Sequence, residues 1–329
     1  MGPVLTLFGH DMRPYADTAD VEMDLAYGEG ENDWTLRTSA APVVGGYVGV
    51  LGTPYGGPVD GVTVARSDGV RTATWRGRTW TGLLASHVLE PDPGADHLVV
   101  SGDAHHVTDA LVRRMGLGGV LHAPGAASGL VVPRTELPRY CDGYDGIRRA
   151  LAAAGAVLRV ELRADGVTLR AERLRAPDEV VADGTDYSVG TDGACVNHLI
   201  ALGKGEGAQR LVAHWYADRD GRVSKAQSLF GPDEVAQVYD RSNADADQLD
   251  ADARERLEGL QVAATCSVEP GAAVADVGDV VTARDEGHGI VAEATVAKVI
   301  CKIRDGRMCV ECETGEGARV ARAAGKRGW

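Results

Sequence analysis

Short runs in which apolar and polar positions alternate dominate the first third of the chain. Val4, Leu5, Leu7 and Phe8 open it, and the stretches 34–38 (Trp-Thr-Leu-Arg-Thr) and 47–51 (Tyr-Val-Gly-Val-Leu) carry the same character. A two-residue period is that of half-buried strands. The run 62–66 meets Ser67-Asp68-Gly69 and returns as 70–75. Asp-Gly between alternating runs predicts a tight hairpin, because both central residues of that turn need positive φ. Several short strands separated by Gly and Pro turns point to a small barrel or sandwich.

The period changes in the middle. Val107, Ala110, Leu111 and Arg114 recur at helical spacing over 104–115, with Gly116 just past the end. Ile147, Leu151 and Ala154 do the same over 144–154, with Gly155 as the stop. A hairpin turning at Asp165-Gly166 is expected next. It would set Leu162 opposite Leu169 and Val160 opposite Ala171, and on its other face Glu161 opposite Arg170 and Arg159 opposite Glu172. Residues 101–175 read as one α+β unit. Strands resume at 195–203 and 210–216, then give way to a polar stretch with Leu249, Leu257 and Leu260 on a helical run. The last hairpin turns at Asp305-Gly306, with Ile303 facing Met308, Cys301 facing Val310 and Lys298 facing Glu313.

Composition adds three constraints. Aromatics are only 5% of the 329 residues, so Val, Leu, Ile and Ala must fill the cores. A net charge of −14 disfavours sequence-independent binding to phosphate, yet suits a surface past which DNA slides. Nine acidic and three basic residues fall between Asp233 and Glu258, so much of that charge sits on one insert. Residues 1–11 hold no Lys or Arg, no apolar run approaches the length of a membrane span, and the six cysteines are too sparse for a disulfide framework.

Candidate chemistry is thin. In Cys309-Val-Glu-Cys312 the two sulfurs, three apart on a strand, point to opposite faces and cannot share a zinc without a bulge. Gly203-Lys-Gly-Glu-Gly207 lies between strands, whereas a phosphate loop must lead into a helix. The stretch 240–247 lacks the Gly and Glu of a calcium loop, and Ser242, Asn243 and Asp245 fit a helix cap better. His87, His105, His106, His122, His198 and His214 are dispersed, and Ser128 sits in no nucleophile elbow. No catalytic, cofactor-binding or metal-ligating residue is assigned, and no cofactor is expected.

Three stretches together resemble the siphovirus tail-hub (minor tail protein) family, which is similar to the baseplate hub of contractile-tailed phages. They are 70–89 (VRTATWRGRTWTGLLASHVL), then 238–245 (VYDRSNAD) continuing to 256–260, and 277–286 (VGDVVTARDE) followed by 296–300 and a hairpin. The resemblance implies a mainly β chain with α+β insertions. Its layout would be a first antiparallel β-barrel (1–100), an α+β domain (101–190), a second barrel (191–224 and 262–316) interrupted by an acidic helical insert (225–261), and a flexible tail (317–329). It also implies a non-enzymatic virion-tail protein, made in the host bacterial cytoplasm. Its homotrimer would form a ring joined to the distal tail ring, the tape measure and the tip or spike, with DNA passing through the lumen. Two other readings stay open. One is a receptor- or carbohydrate-binding module using Trp34, Trp75, Trp80, Trp215 or Trp329 as platforms. The other is a tail-associated cell-wall hydrolase whose catalytic residues are distant in sequence.

Overall fold

The structure, a computed structural model, describes residues 2–175, 186–191, 196–219, 221–261, 264–269, 275–285, 290–315 and 319–322. It is mainly β, with four α-helices among the described residues: α1 (Trp80–Ala85), α2 (Ala104–Arg114), α3 (Gly143–Ala153) and α4 (Ala246–Leu260). The chain divides into two compact units. One holds 1–186, 268–282 and 295–315; the other holds 187–267, 283–294 and 316–329.

The largest sheet contains the strands Val280–Asp285, Ile290–Arg304, Glu22–Gly28, Asp33–Arg37, Val70–Arg78 and Gly61–Ser67 in that order, with Arg307–Thr314 also on Ile290–Arg304, and most of it, with 295–304 of the long strand, belongs to the first unit. Both Asp-Gly turns form as the pattern predicts. Asp68 and Gly69 sit at φ 49° and 81°, and Asp305 and Gly306 at 52° and 68°. Ile303 faces Met308, Cys301 faces Val310 and Lys298 faces Glu313. A four-stranded sheet (Pro14–Thr18, Leu5–Phe8, Tyr47–Gly49, Gly56–Pro58) lies in the same unit. Gly77 lets two backbones meet there, since a Cβ would run into the carbonyl oxygen of Pro58 and the ring of Trp34.

The α+β part belongs to this unit too. One apolar cluster takes in Phe8, Met12 and Trp80, Val107, Leu111 and Val112 of α2, Ile147, Ala150 and Leu151 of α3, and Leu158 to Ala171 of the hairpin. Asp103 caps α2 by accepting from the His105 amide at 3.0 Å, and Asp142 caps α3 through the Asp145 amide at 2.8 Å. On α2 the buried face differs slightly from the expected one. Ala110 is exposed, and Thr108 and Val112 turn inward.

The hairpin register needs correction. The turn is Ala164-Asp165, with Gly166 at φ 138° opening the return strand, so Leu162 opposes Val167, Val160 opposes Leu169 and Arg159 opposes Arg170. The pairing is therefore two residues from the expected one. An even shift leaves every side chain on its face, so the charged pairs survive as diagonals: Arg170 bridges Glu161, and Arg159 lies 3.7 Å from Glu172.

Strand grouping also differs from the sequence reading. Lys298–Ile303 pair with Met23–Gly28, so 295–315 join the N-terminal strands, not 191–224. Arg319–Arg322, expected in a loose tail, pair antiparallel with Ile290–Glu293, because the open ladder of that strand takes up their backbone groups. Among the described residues the sheets trace open paths without a closed barrel.

A buried ion cluster ties this unit together. The Arg159 guanidinium meets Asp279, which is fully buried, lies 3.5 Å from Asp276 and donates to the Val277 carbonyl at 3.3 Å. Tyr27 donates to Asp276 at 2.8 Å. Burial pushes the Asp276 carboxyl above the usual range against the pull of Arg159 and Tyr27. Removing one partner of such a cluster strands the others in a dry interior, at a cost of about 3–5 kcal/mol. Arg159→Ala is expected to lose that much stability in urea unfolding; a loss below about 1 kcal/mol would contradict the assigned role.

Candidate functional site

The second unit carries the acidic insert. Its main sheet orders Val223–Ser224, Val212–Ala217, His198–Leu202 and Ala236–Asp240, the last pair parallel. Helix α4 covers one face of it. Asp245 caps the helix by accepting from the Gln248 amide at 3.0 Å. Leu249, Ala253 and Leu257, four residues apart, then align on one stripe. They pack with Leu199, Ala201, Trp215 and Ala217 of the sheet.

The polar side of α4 is less bare than its composition suggests. Among the nine carboxylates of 233–258, Asp233 pairs with Arg219 (2.9 Å), Asp240 with Arg210 (2.6 Å), Asp252 with Arg241 (2.6 Å) and Glu258 with Arg254 (2.9 Å). Asp250 meets Lys225, whose ammonium lies 4.0 Å from the centre of the Trp215 ring, and accepts from the Trp215 indole at 3.2 Å. Among the described residues, Asp247 and Glu255 have no ion-pair partner. They line a shallow groove of about 470 Å³ with Trp215 and Glu258. Residues 196–261 hold twelve acidic and eight basic residues, so the local net charge is only −4.

The opposite sheet face gathers two of the dispersed histidines. His198 lies between Glu234 (2.5 Å from Nδ1) and His214 Nδ1 (2.9 Å from Nε2) and stacks on Tyr216. Antiparallel pairing of 198–202 with 212–217 makes this row, since it sets His198 opposite Tyr216 and Ile200 opposite His214. Its hydrogen bonds end on imidazole and carboxylate and, among the described residues, include no hydroxyl or thiol nucleophile. Among the described residues no three His, Cys, Asp or Glu side chains gather as a metal site. Ile200, Val212 and Val238 share this face, the two valines more than half exposed.

The other sequence candidates fall apart in space. Ser128 donates to Asp103 at 2.8 Å, while His105 Nδ1 is engaged by the Ala126 carbonyl at 2.9 Å, so the three staple a loop to the start of α2. Burial pushes the Asp103 carboxyl up, but hydrogen bonds from Ser128, Gly129 and His105 outweigh it and hold it at about 2. The glycines of 203–207 lie in a loop that closes on itself, Gly203 donating to the Leu211 carbonyl at 2.8 Å, with only the 3₁₀ turn Gly207–Gln209 following. Trp34 and Trp80 are core residues; Trp215 is buried apart from the edge that lines the groove, Trp75 is half-buried, and Trp329 lies outside the described residues. Cys309 is exposed while Cys301 and Cys312 are buried, and burial pushes both buried thiols to about 12. Cys195 and Cys266 have side chains outside the described residues. Brief maleimide treatment of the native protein, read by peptide mass mapping, is expected to modify Cys309 and spare Cys301 and Cys312. Equal labelling of all three would contradict this packing.

No protein-family model and no curated protein sequence matches the chain. Solved structures do. The tail protein from Neisseria meningitidis MC58 matches at a TM-score of 0.50 with 14% identity, over 95% of each chain. The 43 kDa tail protein of prophage MuSo2 from Shewanella oneidensis matches at 0.52 with 11% identity, over 95% of this chain and 98% of that one. At such identities the likeness is one of fold: almost end to end, this chain has the fold of phage tail proteins.

Proposed function

We propose that the chain is a structural subunit of a phage tail tip or baseplate hub. It works in a homotrimeric ring that joins the tail tube to the tip or spike and lets DNA pass. The observation that carries this reading is the length of the likeness, 95% of this chain and at least 95% of each of the two tail proteins. In the proposed arrangement each chain contributes its two units, so three chains set six units around the axis, with α4 carried on the second of each. The neighbours would be the distal tail ring, the tape measure and the tip or spike, and the site of action the virion tail. Carboxylates without a cationic partner, as at Asp247 and Glu255, are the kind a lumen needs for DNA to slide without sticking.

Self-association tests this. Light scattering on the size-fractionated protein is expected to give three times 34.5 kDa, about 104 kDa. A monomer at high concentration would contradict the ring.

A further inference from the structure

The hairpin Gly61–Ser67/Val70–Arg78 ends the largest sheet of its unit, with Gly61–Ser67 as the outer strand. Its seven residue pairs run without a bulge from Gly61 opposite Arg76 to Ser67 opposite Val70. Residues 63–72 are exposed on both faces, with Val64 at 48% and Val70 at 64%. Free edges are normally blunted by lysine, proline, a bulge or a covering element. This one has no lysine, proline or bulge, and Arg66 is its only charge.

The arm also carries two arginines side by side. Arg66 and Arg71 stand directly opposite each other, on the face shared by Val62, Val64 and Ala73. Like charges so placed repel. Among the described residues neither guanidinium has a carboxylate partner, whereas Arg78 at the base of the same hairpin is held by Asp60 at 2.7 Å. The tip is thus a regular strand edge with two unpaired guanidinium groups and one carboxylate, Asp68 in the turn, a local charge of +1 on a protein of net charge −14.

We propose that this arm docks on a second copy of the chain. Its free edge and valines cover apolar surface there, and Arg66 and Arg71 meet carboxylates of that copy. Charge complementarity selects the occupant: every second copy brings 48 acidic against 34 basic residues, while the field of the whole chain repels nucleic acid. A basic arm meeting a different, acidic surface is a head-to-tail contact, the kind that closes rings. The inference rests on the ring reading and names the contact that would close it.

Sedimentation of the full-length protein at low and moderate salt tests it, using wild type, Arg66→Glu/Arg71→Glu and the charge-keeping Arg66→Lys/Arg71→Lys. The wild type and the lysine variant are expected to associate, more weakly as salt rises. The glutamate variant, with an unchanged circular dichroism spectrum, is expected to associate at least tenfold more weakly. A carbodiimide, which takes up the water released, should join the lysine variant through amides into dimers and trimers whose mapped peptides pair 66 or 71 with Asp or Glu of another copy. If the glutamate variant associates like wild type, the arm is not the contact and the ring reading stands. A monomeric wild type overturns both. DNA binding lost in the glutamate variant, with self-association unchanged, assigns the arm to nucleic acid and overturns the second copy as occupant.

Discussion

A single guanidinium in a dry interior organises the larger unit. Arg159 projects from a local hairpin, yet its partners Asp276 and Asp279 come from a segment more than a hundred residues later, and Tyr27, from near the start, completes the cluster. None of these groups can remain buried without the others, so three distant stretches must arrive together. The backbone repeats the connection, since Gly278 donates to the Val296 carbonyl and Val296 to Asp279, both at 2.8 Å. Gly278, at φ 92° against Val157, permits the tight turn that brings both aspartates to the arginine. The strand Ile290–Arg304 is thereby held where it can pair with Glu22–Gly28.

In the smaller unit the polar chemistry is spread over a surface. The composition of 233–258 suggests a negative wall, but Arg210, Arg219, Lys225, Arg241 and Arg254 come back to most of its carboxylates. Exposed pairs of this kind add little stability each. They fix where residual charge is left, at Asp247 and Glu255 on one side of the unit, while the other side presents histidine, tyrosine and valine. Neither face has the convergent, enclosed character of a small-molecule site.

Local signals in the sequence were legible where one residue pair decides a conformation. Asp68-Gly69 and Asp305-Gly306 both take positive φ, and at the second the register is the one read from the pattern. Asp165-Gly166 misled because the chain turns one residue earlier, at Ala164-Asp165, and Gly166 serves as the first residue of the strand. Helix ends were equally plain, since Gly116 and Gly155 stop α2 and α3 at φ 76° and 64°. Long-range pairing was not legible. Nothing in 296–304 names 22–28 as its partner over 191–224, because both are alternating strands of similar composition. His198 and His214 looked unrelated because a nine-residue loop separates their strands and leaves the register open. Counting outward from a closed loop at Gly203 and Leu211 would have brought them together.

The account stands or falls on ring formation by a chain that has the fold of tail proteins. Electron microscopy of the purified protein, with class averages computed without imposed symmetry, is the most direct test. The account predicts annular particles with threefold symmetry and an open centre. Compact particles of single-chain size at every concentration, or closed assemblies without a central opening, would contradict it.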